Sequence, residues 1–307
     1  MAFAVVTHTP YRCHGATLCG DPHGRLRSGD RAASTIRSVT STTVLGSIGA
    51  GNMAGAMIEG WLRADPAIGE RILVTDRGSG RAADLAARLG VQHVPDNAEL
   101  VRRADVLLIA VKPIDVERVL REASELIDAE TAVVSVAAGI ATTTLENVLE
   151  QGVPLFRCMP NVGVKVGAGT LCFAKGPFTG SAAEERVVGW LDQIGTVVKL
   201  EERLFDAATA LAGSGPAFLG LVIEAFEDAG ITSGLSAATA RALILSTMVG
   251  TANLLDETGI SCSDLRRMVT SPGGTAAAGL AQMERGSVRG GIIDGVLAAL
   301  ARAGQLG

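Results

Sequence analysis

Between Val44 and Gly55 a short apolar run, Val44-Leu45-Gly46-Ser47-Ile48, breaks into Gly49-Ala50-Gly51 and resumes at helical spacing through Asn52, Met53 and Ala54. Such a run reads as strand, tight turn and helix. Gly49 lets the chain turn sharply, Gly51 lets backbone approach a pyrophosphate, and the small Ala54 lets the helix pack close to the strand. The helix N-terminus would then offer unpaired N–H groups and a positive dipole end to a dinucleotide. A glycine turn alone is a weak signal, because any tight strand-to-helix turn favours glycine. Its context strengthens it. Ile72-Leu73-Val74-Thr75 follows at the distance of a second strand and ends on Asp76, where such a unit keeps its ribose-reading acid.

Strands and helices alternate from residue 43 to residue 200. An amphipathic run, Arg81 to Leu89, is followed by a short third strand at Val91 and a polar turn at Asp96-Asn97. Val106 to Val111 and Ala132 to Val136 are apolar throughout, as strands buried on both faces should be. Val153 to Cys158 makes a further strand, out of which Met159-Pro160-Asn161 turns the chain, and Thr196 to Leu200 makes the last one. The pattern predicts a Rossmann-type doubly wound sheet, an α/β domain. In such a sheet the ligand lies beyond the carboxyl ends of the strands, so Asn97, Ala110, Val111, Lys112, Pro113, Val136, Ala137 and Ala138 are expected to border a cofactor.

From residue 201 to 307 the pattern is helical only. Leu204–Ala212, Pro216–Ala229, Ala237–Leu255, Cys262–Val269, Thr275–Arg285 and Val288–Arg302 carry helical periodicity, with Gly or Pro at the breaks. The run Ala237–Leu255 is apolar on more than one face, which calls for burial against another subunit. Gly213-Ser214-Gly215-Pro216 kinks or joins two helices. Ser271-Pro272-Gly273-Gly274-Thr275 opens another, presenting backbone N–H groups and two hydroxyls at a positive helix end. That is either an ordinary helix cap or a cradle for a small carboxylate.

The rest of the composition narrows the function. Of 307 residues 48% are hydrophobic and 19% charged, enough apolar matter for two ordinary cores. A net charge of -5 offers no basic field to a nucleic-acid backbone. Cys13, Cys19, Cys158, Cys172 and Cys262 lack paired spacing and read as reduced thiols rather than a zinc site. No uninterrupted apolar segment is long enough to cross a bilayer, and a cytoplasmic protein without a membrane partner is expected. Residues 1–42 are Arg-rich and poor in apolar periodicity. They fit a poorly ordered extension, the preferred reading, or an organellar transit peptide.

The proton shuttles are conspicuous by absence. No His, Lys, Tyr or Trp follows Lys199, His93 is the only His outside the first 42 residues, and Tyr11 is the only Tyr. Oxidising an alcohol requires a base for its proton, normally one of these side chains. A substrate that arrives already protonated, such as an iminium, needs only a hydride and a site that holds its other end. An imine reductase fits this inventory best, with no residue assigned as a catalytic acid or base.

Several stretches in order carry a resemblance: Ile48-Gly49-Ala50-Gly51-Asn52-Met53, Ala110-Val111-Lys112-Pro113, Ala137-Ala138-Gly139, Cys158-Met159-Pro160-Asn161, Leu211 to Phe218, and Val269 to Thr275. Together they resemble the pyrroline-5-carboxylate reductase family, from Val44 to near Arg302. The resemblance implies NAD(P)H-dependent reduction of 1-pyrroline-5-carboxylate to L-proline, and self-association of the helical domain as interlocked dimers or larger rings. It implies cofactor binding by Ile48, Gly49, Ala50, Gly51, Asn52, Met53, Asn97, Ala110 to Pro113 and Val136 to Ala138. It implies a grip on the substrate carboxylate by Ser271, Gly273, Gly274 and Thr275, with the acidic Glu202 near the substrate.

The chain also departs from that family. Members usually carry a second Thr after the position of Thr275, with a hydroxyl that can reach the ring nitrogen, and here that place is Ala276. Ala212, Phe218 and Ser261-Cys262 replace Ser, Tyr and His-Pro. Losing one transition-state hydrogen bond costs roughly tenfold to a thousandfold in rate. A related cyclic imine, or an impaired dinucleotide-binding paralogue, is therefore the alternative. The cofactor is contested too. Asp76 favours NADH by accepting from a free ribose 2′-hydroxyl, whereas Arg77, Ser79 and Arg81 suit the 2′-phosphate of NADPH, the preferred reading.

Overall fold

The computed structural model describes residues 43–305, so the expected extension over residues 1–42, with Cys13 and Cys19, lies outside the described residues. Two compact units follow one another, the first ending at Leu200 and the second beginning at Glu201.

The first unit alternates strand and helix: β1 (Leu45–Ile48), α1 (Asn52–Ala64), β2 (Ile72–Thr75), α2 (Arg81–Leu89), β3 (Gln92–His93), α3 (Asn97–Arg103), β4 (Val106–Ile109), α4 (Pro113–Ala123), β5 (Ala132–Ser135), α5 (Thr142–Glu146), β6 (Leu155–Pro160), β7 (Gly169–Lys175), α6 (Ser181–Leu191) and β8 (Gly195–Lys199). The strands form one sheet in the order β3-β2-β1-β4-β5-β6-β7-β8. After β1 the chain builds outward through β2 and β3, then returns to lay β4 on the other side of β1. That reversal creates the crevice where an open α/β sheet binds ligands.

The strands are apolar on both faces because both faces are covered. Val106 and Leu108 join one core with Met57, Trp61 and Trp190, whereas Leu107 and Ile109 join the other with Leu100, Val116 and Leu120. On the first face Trp61 donates its indole N–H to the Trp190 carbonyl at 2.7 Å, and the two rings meet edge to face.

Several expected boundaries move. The third strand is Gln92–His93 rather than Val91, β4 and β5 end at Ile109 and Ser135, and β8 begins at Gly195. β6 runs on through Met159 and Pro160, which pair with Cys172 and Leu171 of β7, so the chain leaves the sheet at Asn161 rather than at Met159. Proline is tolerated there because it closes the strand. β7, absent from the sequence reading, runs antiparallel to β6, and β8 lies parallel to β7. The outer part of the sheet thus departs from the all-parallel pattern.

The second unit is helical: α7 (Phe205–Ala208), α8 (Gly215–Thr232), α9 (Ala237–Thr258), α10 (Cys262–Val269), α11 (Thr275–Arg285) and α12 (Val288–Ala303). The expected single helix over Leu204–Ala212 is instead a 3₁₀ turn, α7 and a π-helical turn at Thr209–Gly213, closed by the Ser214 amide donating to the Thr209 carbonyl at 2.9 Å. Gly213-Ser214-Gly215-Pro216 therefore joins helical segments without ending them.

That continuity makes one helical stretch longer than the broken pattern suggests. Glu202–Thr232 and Ala237–Thr258 are long and apolar enough, by length and composition, to cross a membrane, and only 6% of either apolar window is buried. Glycine and serine interrupt the apolar run in sequence, yet the helix passes through them. Leu221 is 68% exposed and Leu243 55% exposed, and α8, α10, α11 and α12 have no buried residue among those described. A face of this kind needs a cover.

Candidate functional site

The carboxyl edge of β1 and its neighbours is shaped by Gly49. Its φ is +108°, its N–H donates to the Thr75 carbonyl at 2.9 Å, and an added Cβ would lie 2.5 Å from the Ala110 carbonyl oxygen. Only glycine turns the chain this tightly against the end of β4. The buried Ser47 hydroxyl donates to the Gly49 carbonyl at 2.9 Å and fixes the turn from below. Gly51 is the N-cap of α1, and its missing side chain opens onto empty space, with no atom within 4 Å of an added Cβ. No side chain caps the helix, so its first-turn N–H groups face outward without an intrahelical acceptor. Ala50, Asn52 and Met53 complete the turn, and Ala54 is buried.

The adjoining strand ends bring up the other expected residues. The Ala110 amide donates to the Ile48 carbonyl at 2.9 Å, and the Val136 amide to the Ile109 carbonyl at 3.1 Å, which sets Ala110–Val111 and Val136–Ala138 along the same edge as Gly49. Lys112 is the N-cap of α4 and Pro113 its first residue; this helix too lacks a side-chain cap. Asn97 opens α3, capped by Asp96, whose carboxylate accepts from the Glu99 amide at 2.8 Å.

At the end of β2, Asp76 does something the sequence did not announce. Its Oδ1 accepts from the amides of Gly78 (2.8 Å) and Ser79 (3.1 Å), and its Oδ2 from the Ser79 hydroxyl (2.6 Å) and the Ala82 amide (2.9 Å). Burial raises its pKa, but these four donors outweigh it and hold the carboxyl below its ordinary value of 3.8. The carboxylate ties the loop 77–80 and caps α2. Arg77 reaches from this loop to α4, where its guanidinium donates to Asp115 Oδ1 at 2.8 Å. Arg118 donates to the same oxygen at 3.2 Å. Asp115 was missed in the sequence, where an acid in the first turn of a helix reads as a dipole partner.

In the second unit the loop Ser271–Gly274 precedes α11. Gly273 has φ +69°, and a Cβ on Gly274 would collide with the Ser271 hydroxyl. The Gly274 amide donates to the Ser271 carbonyl at 3.0 Å, and no side chain caps α11. Uncapped amides, the Ser271 and Thr275 hydroxyls and the partly buried Ala276 therefore share one helix end. Glu202 opens the 3₁₀ turn Glu202–Leu204.

Thiol chemistry does not suit the buried cysteines. Cys158 and Cys172 are free, and burial pushes both thiols up, Cys172 to about 11, so neither supplies a thiolate near neutral pH.

Comparison with known proteins gives the same two parts. Residues 202–306 match a family model described as pyrroline-5-carboxylate reductase dimerisation, and residues 44–139 one described as NADP oxidoreductase, coenzyme F420-dependent. The chain therefore binds a nicotinamide dinucleotide in its first unit and self-associates through its second. The pyrroline-5-carboxylate reductase of Mycobacterium tuberculosis is 38% identical over 282 residues, covering 84% of this chain and 95% of that protein. That of Methanosarcina acetivorans is 35% identical over 263 residues, covering 86% and 97%. Among solved structures, the reductase of Coxiella burnetii superposes with a TM-score of 0.78 at 32% identity, covering 86% of this chain and 98% of that one. The Plasmodium falciparum enzyme with NADP bound superposes with 0.76 at 26%, with the same two coverages. With both domains matched in order and identities of 35–38% along most of its length, the chain belongs to the pyrroline-5-carboxylate reductase family.

Proposed function

We propose that this chain reduces 1-pyrroline-5-carboxylate to L-proline. The observation that carries the reading is an uncapped helix end behind a glycine turn in each of the two units of a chain whose relatives carry that name. When bound, a reduced nicotinamide supplies the hydride. The protein holds the dinucleotide through Ile48 to Met53, whose open backbone at Gly51 and uncapped α1 amides suit a pyrophosphate. Asn97, Ala110 to Pro113 and Val136 to Ala138 line the same edge. The α11 amides and the hydroxyls of Ser271 and Thr275 bind the substrate carboxylate, and Glu202 lies near the ring. The substrate arrives as the iminium, so a C–H bond forms at the ring carbon that becomes C5 of proline while the C=N π pair passes to nitrogen. No side chain has to remove a proton.

The cofactor of choice is NADPH. All four acceptor positions of Asp76 are engaged within its own loop, which leaves none for a ribose 2′-hydroxyl. Arg77 in that loop and Arg81 just after it supply positive charge for a 2′-phosphate. The assay is NADPH and NADH oxidation with 1-pyrroline-5-carboxylate and identification of proline; NADPH is expected to give the higher kcat/KM. A dimer, or a ring of dimers, is proposed for the self-associated form.

Ala276 gives that assay a second use. Ala276→Thr is expected to raise kcat about tenfold or more by adding a hydroxyl within reach of the ring nitrogen. An unchanged rate at a high wild-type turnover would mean that this hydroxyl is not needed. A wild-type protein slow on 1-pyrroline-5-carboxylate but fast on another cyclic imine would favour the alternative substrate.

A further inference from the structure

Arg77 is the strongest candidate for a 2′-phosphate ligand, yet its guanidinium already has an anion. It donates to Asp115 Oδ1 at 2.8 Å, across from the end of β2 to the first turn of α4. Asp115 is the better anchored of the two: its side chain is 14% exposed against 63% for Arg77. It also keeps a second cation, because Arg118 binds the same oxygen at 3.2 Å. Releasing Arg77 therefore does not strand the carboxylate without a partner.

We propose that Asp115 is a specificity-determining positioning residue, an internal carboxylate that occupies Arg77 in the free protein and yields it to the 2′-phosphate of the dinucleotide. The inference rests on the reading of Arg77 as the phosphate ligand. With its guanidinium 63% exposed, the Arg–Asp pair is screened by solvent and shifts an equilibrium by less than about tenfold, so the exchange is cheap. A phosphate dianion offers the guanidinium more charge and a bidentate contact in return. A dinucleotide without the 2′-phosphate offers nothing to exchange, and Arg77 stays on Asp115. Asp115 thus opposes only the phosphorylated ligand, by competing for Arg77 and by repelling the incoming charge.

The test uses the full-length protein and two half-cofactor probes, adenosine 2′,5′-bisphosphate and adenosine 5′-monophosphate, with dissociation constants measured by calorimetry. Asp115→Asn keeps the side-chain shape and removes the charge. It should tighten the bisphosphate about three- to tenfold and change the monophosphate by less than about twofold. Asp115→Glu should restore the wild-type ratio. Equal shifts for both probes, no shift, or weaker bisphosphate binding would overturn the proposal, since a structural defect moves both ligands together. Arg77→Gln separates the two levels of inference. If it leaves the ratio of the two constants unchanged, the phosphate role of Arg77 fails and this proposal with it. If it collapses the ratio while Asp115→Asn leaves it intact, only the role of Asp115 fails.

Discussion

Gly49→Ala should reduce dinucleotide affinity by at least about a hundredfold. The added methyl has no room, since its Cβ would lie 2.5 Å from the Ala110 carbonyl oxygen and 2.7 Å from its carbon. Neither atom can swing aside, because both are backbone at the end of β4. The φ of +108° adds its own cost of about 1–3 kcal/mol for a residue with a side chain. Relief comes only by separating the turn from β4, which moves Ala50 and Gly51 and misdirects the α1 amides. Fluorescence titration with NADPH checks the affinity, and thermal unfolding checks that the sheet persists. By contrast, Gly51→Ala meets no atom within 4 Å in the free protein. It should fold normally and lose affinity only by intruding on the proposed pyrophosphate site. Normal affinity in Gly49→Ala would remove this turn from the cofactor site.

Leu221→Glu combined with Leu243→Glu should convert the assembly to monomers at micromolar concentration. Both leucines are mostly exposed on helices that have almost no buried residues of their own, in a unit that self-associates. Covering one leucine side chain stabilises an interface by about 1.5–3 kcal/mol, and putting an unpaired carboxylate in its place costs several more. Four such changes across a symmetric pair of subunits exceed the binding energy of a typical dimer. Sedimentation velocity checks the outcome. Dinucleotide binding is expected to survive, because the first unit carries both of its cores on its own sheet. An unchanged oligomer would place the interface on other faces of the helical unit.

The parts of the fold that could be read from sequence are those where the pattern is local and repeated. α10 and α11 begin and end where periodicity and capping place them, and β1, β2, β4 and β5 stand out as apolar runs because the sheet is covered on both sides. β7 was not legible. Gly169–Lys175 is a strand because β6 and β8 flank it, and its antiparallel direction is a long-range choice that no seven-residue pattern announces. The continuity of the helical stretch through Gly213–Pro216 was hidden for a related reason. A π turn absorbs Gly213 and the next helix begins at Gly215, so an apolar surface longer than any apolar run results.

In the candidate site the placement of residues was more legible than their partners. The glycine turn located the carboxyl edge, and the contact between Gly49 and Ala110 explains why that glycine is needed. Asp76 stood at the place where a ribose-reading acid is expected, but its four hydrogen-bond partners all lie within six residues and turn it into a loop brace. Asp115 lies 38 residues from Arg77, and only folding brings the two together. In both cases the residue type could be read, whereas the partner that decides its role could not.

The proposed reaction is hydride transfer from a nicotinamide to the imine carbon of 1-pyrroline-5-carboxylate. Its most direct test is turnover with NADPH carrying deuterium at the transferable position of C4, followed by mass spectrometry of the product. Proline with one deuterium, located on C5, is the expected product. Proline without deuterium, or oxidation of the cofactor without proline, would contradict it.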